Sequence, residues 1–290
     1  MRRGPSMTLS FPPFTRAVKQ LMIANGAVFL LFALLGAVSS VDVERWAQIH
    51  LGLVPFLVLH GWLWQLVTYG FIHAGLMHIL FNLLALWMFG AQLEMDWGYS
   101  LFVQFYFFCL VGAALTTIAV SFTHIFNVNP YIPTVGASGA IYGLLIAFGM
   151  LHGDAEVMLF PLPFLIKARY FVIGIIALAL YGALASSHGG GQSIAYMAHL
   201  GGALFGYLWL KFVPRRGLGF MASERSYGLR NAYYRWKRKR AARKFEVYMR
   251  KHDRSDYRHE DYFDEQGNYR DPNTREPRKG NGDSRGPWVN

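Results

Sequence analysis

The sequence predicts an all-α polytopic membrane protein with six transmembrane helices and cytoplasmic N- and C-termini. Three observations carry that expectation. Of the 290 residues, 53% are hydrophobic and only 16% charged. The apolar residues gather into six runs of about the length that crosses a bilayer, roughly 20 helical residues. Lysine and arginine collect at alternate ends of those runs, as the positive-inside rule requires.

The runs lie near residues 19–38, 74–92, 99–121, 136–152, 168–185 and 195–212. The first resembles a secretory signal, because basic residues precede it and AVSS follows. Its apolar stretch is longer than the ~7–15 residues of a signal core, so it reads as a retained span. The fourth and sixth are rich in glycine, as GASGAIYG and AHLGGALFG show. Arg2, Arg3, Arg16 and Lys19 precede or open the first run, Lys167 and Arg169 separate the fourth from the fifth, and Lys211, Arg215 and Arg216 follow the sixth. The loop from 39 to 73 holds only Arg45, and the loops near 122–135 and 186–194 hold no lysine or arginine. Spans two, four and six therefore run from outside to inside, and their first residues share the outer level.

Charge divides the chain in two. Of 28 Lys and Arg, 7 precede residue 211 and 21 follow; of 17 Asp and Glu, 6 precede and 11 follow. The expected organisation is a cytoplasmic N-terminal segment (1–18), a six-span core (19–212), a basic juxtamembrane helical segment (213–252) and a disordered cytoplasmic tail (253–290). The stretch YGLRNAYYRWKRKRAARKFEVYMRKHDR suits a helix on the inner membrane surface that meets anionic lipid. Basic residues interleaved with aromatics also suit nucleic acid. A basic segment beside a last span is what membrane topology already demands, so nucleic acid is disfavoured as a partner. The lone Cys109 lies within an apolar run and reads as an inert small hydrophobe. Neither a cysteine cluster nor H-E-x-x-H occurs, so no metal and no cofactor are expected.

Polar residues converge on the outer level. Span two carries His73, His78 and Asn82, span four opens with Ser138 followed by Tyr142, and span six carries His199. Ionisable groups within membrane segments are costly and are functional candidates. Ser138, at a helix N-terminus, could be a nucleophile whose own N–H helps hold an oxyanion. Taken alone it fits helix packing as well, since Gly139 and Gly143 have the GxxxG spacing. His199 could serve as the base that a weak serine nucleophile requires, or as an interhelical hydrogen-bonding residue. Gly202 and Gly206 share its helix face and permit close approach. His78 and Asn82, four apart, could donate to an oxyanion or tie helices together. No Asp or Glu lies within these spans before Glu94, so any hydrolase here is a Ser–His dyad, not a triad.

HAGLMHILFN, GASGAIYG and AHLGGALFG together resemble the rhomboid family of intramembrane serine proteases, over roughly residues 15–212. The resemblance implies a six-span rhomboid-type bundle, with Ser138 as nucleophile and His199 as general base. It further implies that His78 and Asn82, with the Ser138 amide, stabilise the oxyanion and that Tyr142 packs on the histidine. Gly136, Gly139, Gly202 and Gly206 are assigned to close helix packing, and His73 to structure. A cavity open to the outer side, lateral substrate entry near span five and a cap over ASSHGGGQSIAYM are also implied. One departure stands out: Trp64 is followed by Gln65, where the family often has arginine, so the hydrogen bonding of the first loop should differ. The expected activity is endoproteolysis of transmembrane protein substrates near the outer membrane face, in a bacterial inner membrane. A catalytically silent relative that binds or escorts transmembrane helices is the alternative. Transport ranks last, because the inner halves of the spans are apolar.

Overall fold

The computed structural model describes residues 12–123, 128–158, 165–186, 193–213, 233–240 and 243. Most of segment 213–252, all of 253–290, and residues 187–192 of the expected cap lie outside the described residues. Each apolar run forms a helix. The long elements are α1 (Arg16–Val38), α7 (Tyr99–Ser121), α8 (Ser138–Leu151), α9 (Ala168–Ser186) and α10 (Ser193–Phe212). The second run is one continuous stretch made of α5 (Leu76–Ala85), a π-helical turn (Leu86–Gly90) and α6 (Ala91–Trp97). Among the described residues, four stretches are long and apolar enough to cross a membrane: Arg16–Val38, Leu76–Trp97, Tyr99–Ser121 and Ala168–Ser186. The 14-residue α8 and α10, which carries His199 and three glycines, fall outside that set. Exposed Leu30, Leu34, Phe81, Ile173 and Leu178 give α1, α5 and α9 an apolar outer surface suited to lipid.

The expectation of an all-helical chain needs one correction. Between α8 and α9, β1 (Glu156–Met158) and β2 (Leu165–Lys167) pair antiparallel, with Val157 opposite Ile166. The backbone there has left the helix and satisfies its donors and acceptors across a short hairpin. Asp154 pairs with Arg169 and Lys167 at its base.

The bundle centres on α7. Half of its most apolar window is buried, against 11% for α1 and 22% for α9. Around it α8 and α10 pack through glycines. A Cβ at Gly112 or Gly201 would overlap Phe205 or Thr116 across the α7–α10 contact, and one at Gly202 would overlap the Gly139 carbonyl oxygen of α8. Four residues on in both helices, a Cβ at Gly206 would lie 2.8 Å from the Gly143 Cα. Backbones this close are what small residues permit in membrane helices.

The segment between α1 and α5 is itself helical: α2 (Val43–His50), α3 (Pro55–Leu59) and α4 (Gln65–Thr68). Gln65, fully buried, holds it together. Its Oε1 accepts from the Val54 N–H at 3.0 Å, and its Nε2 donates to the Ile49 carbonyl at 2.9 Å. The Trp64 indole donates to the His50 carbonyl at 2.9 Å. Leu53 then exchanges two 2.8 Å backbone hydrogen bonds with Thr134, and the Gly136 N–H donates to the Tyr69 carbonyl. The segment thus clamps the residues that lead into α8.

The opposite end of the bundle is tied by Glu94, which is buried on α6. Its carboxylate accepts from the Thr15 hydroxyl at 2.5 Å and from the Ala17 and Val18 N–H groups at 2.8 and 2.9 Å. A carboxylate at the first turn of α1 satisfies donors that no helical carbonyl can reach. At the same end, His152 of the α8 terminus meets Asp96 at 2.6 Å.

Candidate active site

Ser138 is the first residue of α8. The chain arrives through Gly136, whose φ of 118° disfavours any other residue, and Ala137. Gly136 was expected to pack helices, but it lies outside any helix and against a side chain. A Cβ there would stand 2.7 Å from His78 Nε2 and 3.7 Å from Ser138 Oγ. The two groups therefore converge on one point, and only glycine leaves it open. As the opening residue of the helix, Ser138 presents an N–H with no helical acceptor.

His199 reaches Ser138 from α10. Its Nε2 lies 2.8 Å from the serine Oγ, while its Nδ1 is buried without a hydrogen-bond partner among the described residues. The Tyr142 ring, one turn beyond Ser138, stacks on the imidazole at 4.3 Å between centroids and 5° between planes. Tyr196 meets the same imidazole edge-on at 6.2 Å, and a Cβ on Gly182 of α9 would overlap the Tyr196 ring. Sequence reasoning missed Tyr196; its position three residues before His199 on one helix face was the available signal.

On α5, the Ala74 N–H donates to His78 Nδ1 at 3.4 Å. A neutral imidazole that accepts at Nδ1 carries its proton on Nε2, the nitrogen facing Gly136. Asn82 donates one amide hydrogen to the His78 carbonyl at 2.7 Å, which orients its head and leaves the second hydrogen. His73 lies apart from Ser138. It meets His78 edge-on at 5.1 Å and lines a separate cavity of about 250 Å³ between α1 and α2.

Ser138, His199, His78, Asn82 and Tyr142 all line one cavity of about 410 Å³. Its other walls come from Met88, Phe89, Leu145, Phe171 and Ile175, so it extends from the polar cluster down an apolar slot between α5 and α9. Tyr69, also missed, supports it from beneath: its hydroxyl donates to the Leu110 carbonyl at 2.7 Å and would lie 3.0 Å from a Cβ on Gly139. No group of three or more His, Cys, Asp or Glu suited to a metal occurs among the described residues.

Apolar helices long enough to span a bilayer, with a polar cluster recessed among them, define a multi-pass membrane protein. A family model described as the rhomboid domain matches residues 60–216, more than half of the chain, and the chain belongs to the rhomboid family. It is 30% identical over 151 residues to Rhomboid protein 1, mitochondrial, of Saccharomyces cerevisiae, an alignment covering 52% of this chain and 42% of that protein. It is 28% identical over 172 residues to Rhomboid-like protein 19 of Arabidopsis thaliana, covering 58% and 54%. Over 89 residues it is 38% identical to Rhomboid protease GluP of Bacillus subtilis, covering 31% and 16%. The chain thus spans about half or less of the length of these relatives.

Proposed function

We propose that the chain is an intramembrane serine endopeptidase that cleaves transmembrane protein substrates near the outer membrane face. The observation that carries this reading is the 2.8 Å approach of His199 Nε2 to Ser138 Oγ at the wall of a cavity that extends into an apolar slot. One relative, the Bacillus subtilis protein, is named a protease.

In this reading His199 takes the Ser138 proton as Oγ attacks the scissile carbonyl carbon. The carbonyl oxygen becomes an oxyanion held by the Ser138 N–H, His78 Nε2–H and the second Asn82 amide hydrogen. Collapse breaks the C–N bond, and the leaving amine takes the proton from His199. Water, deprotonated by His199, then hydrolyses the acyl-enzyme and frees Ser138. No carboxylate orients His199; the Tyr142 stack and the Tyr196 edge restrain its ring. The apolar slot between α5 and α9 suits lateral entry of an unwound transmembrane segment.

Six spans with both termini inside, and residues 19–212 as the catalytic core, belong to the same reading. The relatives include a yeast protein named mitochondrial as well as a bacterial one, so the assignment is to a multi-pass membrane protein and not to a bacterial inner membrane in particular. The test is labelling by a serine-reactive phosphonate together with cleavage of a model transmembrane substrate. The wild type should be labelled, and Ser138→Ala should lose both signals. Cleavage that persists in Ser138→Ala would overturn the nucleophile. A wild type that binds transmembrane helices but is neither labelled nor active would favour the escort alternative.

A further inference from the structure

We propose that the helical segment at residues 233–240 and 243 is a docking surface for anionic phospholipid headgroups. Its described residues read Tyr-Tyr-Arg-Trp-Lys-Arg-Lys-Arg followed, after two alanines, by Arg243; all are exposed. Six cations and no acid fall within these eleven positions. Lys239 and Arg243 are like charges four apart, and such a pair weakens a helix. An anionic surface against the segment would relieve that repulsion.

The aromatic residues indicate which surface. Tyr233 lies 6.1 Å from Trp236 and 5.8 Å from Tyr234, and the Arg240 guanidinium stands 5.4 Å over the Trp236 ring. Tyr233, Trp236 and Arg240 form one stripe at i, i+3 and i+7. Tyr and Trp with an amphipathic rim of cations match the headgroup level of a bilayer, where rings enter the interface and ammonium and guanidinium groups meet phosphate. The tether supplies proximity. Nineteen residues separate Val213 from Tyr233, a reach of at most about 65 Å. The helix before it ends with Lys211 Nζ 5.8 and 5.5 Å from the Tyr207 and Phe212 ring centroids, an arrangement suited to the membrane boundary. A membrane surface is thus always within reach at high effective concentration, whereas nucleic acid must be captured from solution.

The experiment uses the full chain in nanodiscs, with hydrogen–deuterium exchange read on peptides covering 229–251. One disc is phosphatidylcholine alone; in the other about a third of the lipid is phosphatidylglycerol. Exchange over 233–243 should slow only in the anionic discs and recover at about 1 M salt, where the screening length is only ~3 Å. Replacing Arg238, Lys239 and Arg240 together by glutamine should weaken docking roughly 100-fold, at about fivefold per cation. It should leave phosphonate labelling of Ser138 unchanged, which separates this outcome from any failure of the protease reading. Equal exchange in both discs would overturn the proposal. So would protection that appears only when single-stranded RNA is added, which would make the segment a nucleic-acid surface.

Discussion

Gly202 of α10 rests directly on the Gly139 carbonyl of α8, with no room for a side chain between them. Because His199 precedes Gly202 by one turn and Ser138 precedes Gly139 by one residue, this backbone contact sets the 2.8 Å distance between the two side chains. Gly202→Val should therefore separate α10 from α8. A displacement of about 1 Å can cost roughly 100-fold in rate. Cleavage and phosphonate labelling should fall by at least that much while the protein still elutes as a folded species from size exclusion. Gly174→Ala, on an α9 face with open space, should leave both unchanged.

His78→Ala and Asn82→Ala should each lower kcat by roughly 10²–10³, the usual effect of losing one oxyanion donor. KM for a model substrate should change little. The Asn82 loss should be the broader of the two, because its amide also anchors to the His78 carbonyl. A double substitution well short of additive would show that the pair acts as a unit.

Tyr142→Phe should retain activity near the wild type, because the ring and not the hydroxyl contacts His199. Tyr142→Ala removes a stacked pair of about 0.5–1.5 kcal/mol and should slow cleavage up to roughly tenfold. Steady-state rates on one substrate distinguish the two variants.

Glu94→Gln replaces the carboxylate that caps α1. Hydrogen bonds to charged groups contribute about 1.5–3 kcal/mol, so a lowered unfolding midpoint in detergent is expected. Thr15→Val should add little on top of it, since the Thr15 hydroxyl bonds to that same carboxylate. Catalysis at temperatures well below the midpoint should be preserved.

Gln65→Leu should leave the buried Val54 N–H without its partner, at about 1–3 kcal/mol, and remove the bond to the Ile49 carbonyl. Since Leu53 pairs with Thr134, four residues before Ser138, the same change should reduce cleavage as well as stability. Thermal unfolding and cleavage rate measured on one preparation would check both effects.

Much of this was legible in the chain itself. The apolar runs lie in helices, and four stretches among the described residues are long and apolar enough to cross a bilayer, because that is a local property of length and composition. The directions of spans two, four and six put His78, Ser138 and His199 at one expected level, and the folded chain joins them in one cavity. The β1–β2 hairpin was not legible, since three-residue strands carry too little periodicity. Nor was the turn role of Gly136, because a glycine's sequence context does not state its φ.

The sequence by itself determined the helices, their apolar lipid-facing surfaces and the residues able to do chemistry. The tertiary structure alone decided which of those residues touch. Glycine permits close approach from any direction, so Gly202 acquires meaning only when Gly139 lies opposite. Glu94 and Thr15 are 79 residues apart, as Ser138 and His199 are 61 apart. Such contacts arise from how the helices cross, a property of all the packed faces together that no single stretch encodes.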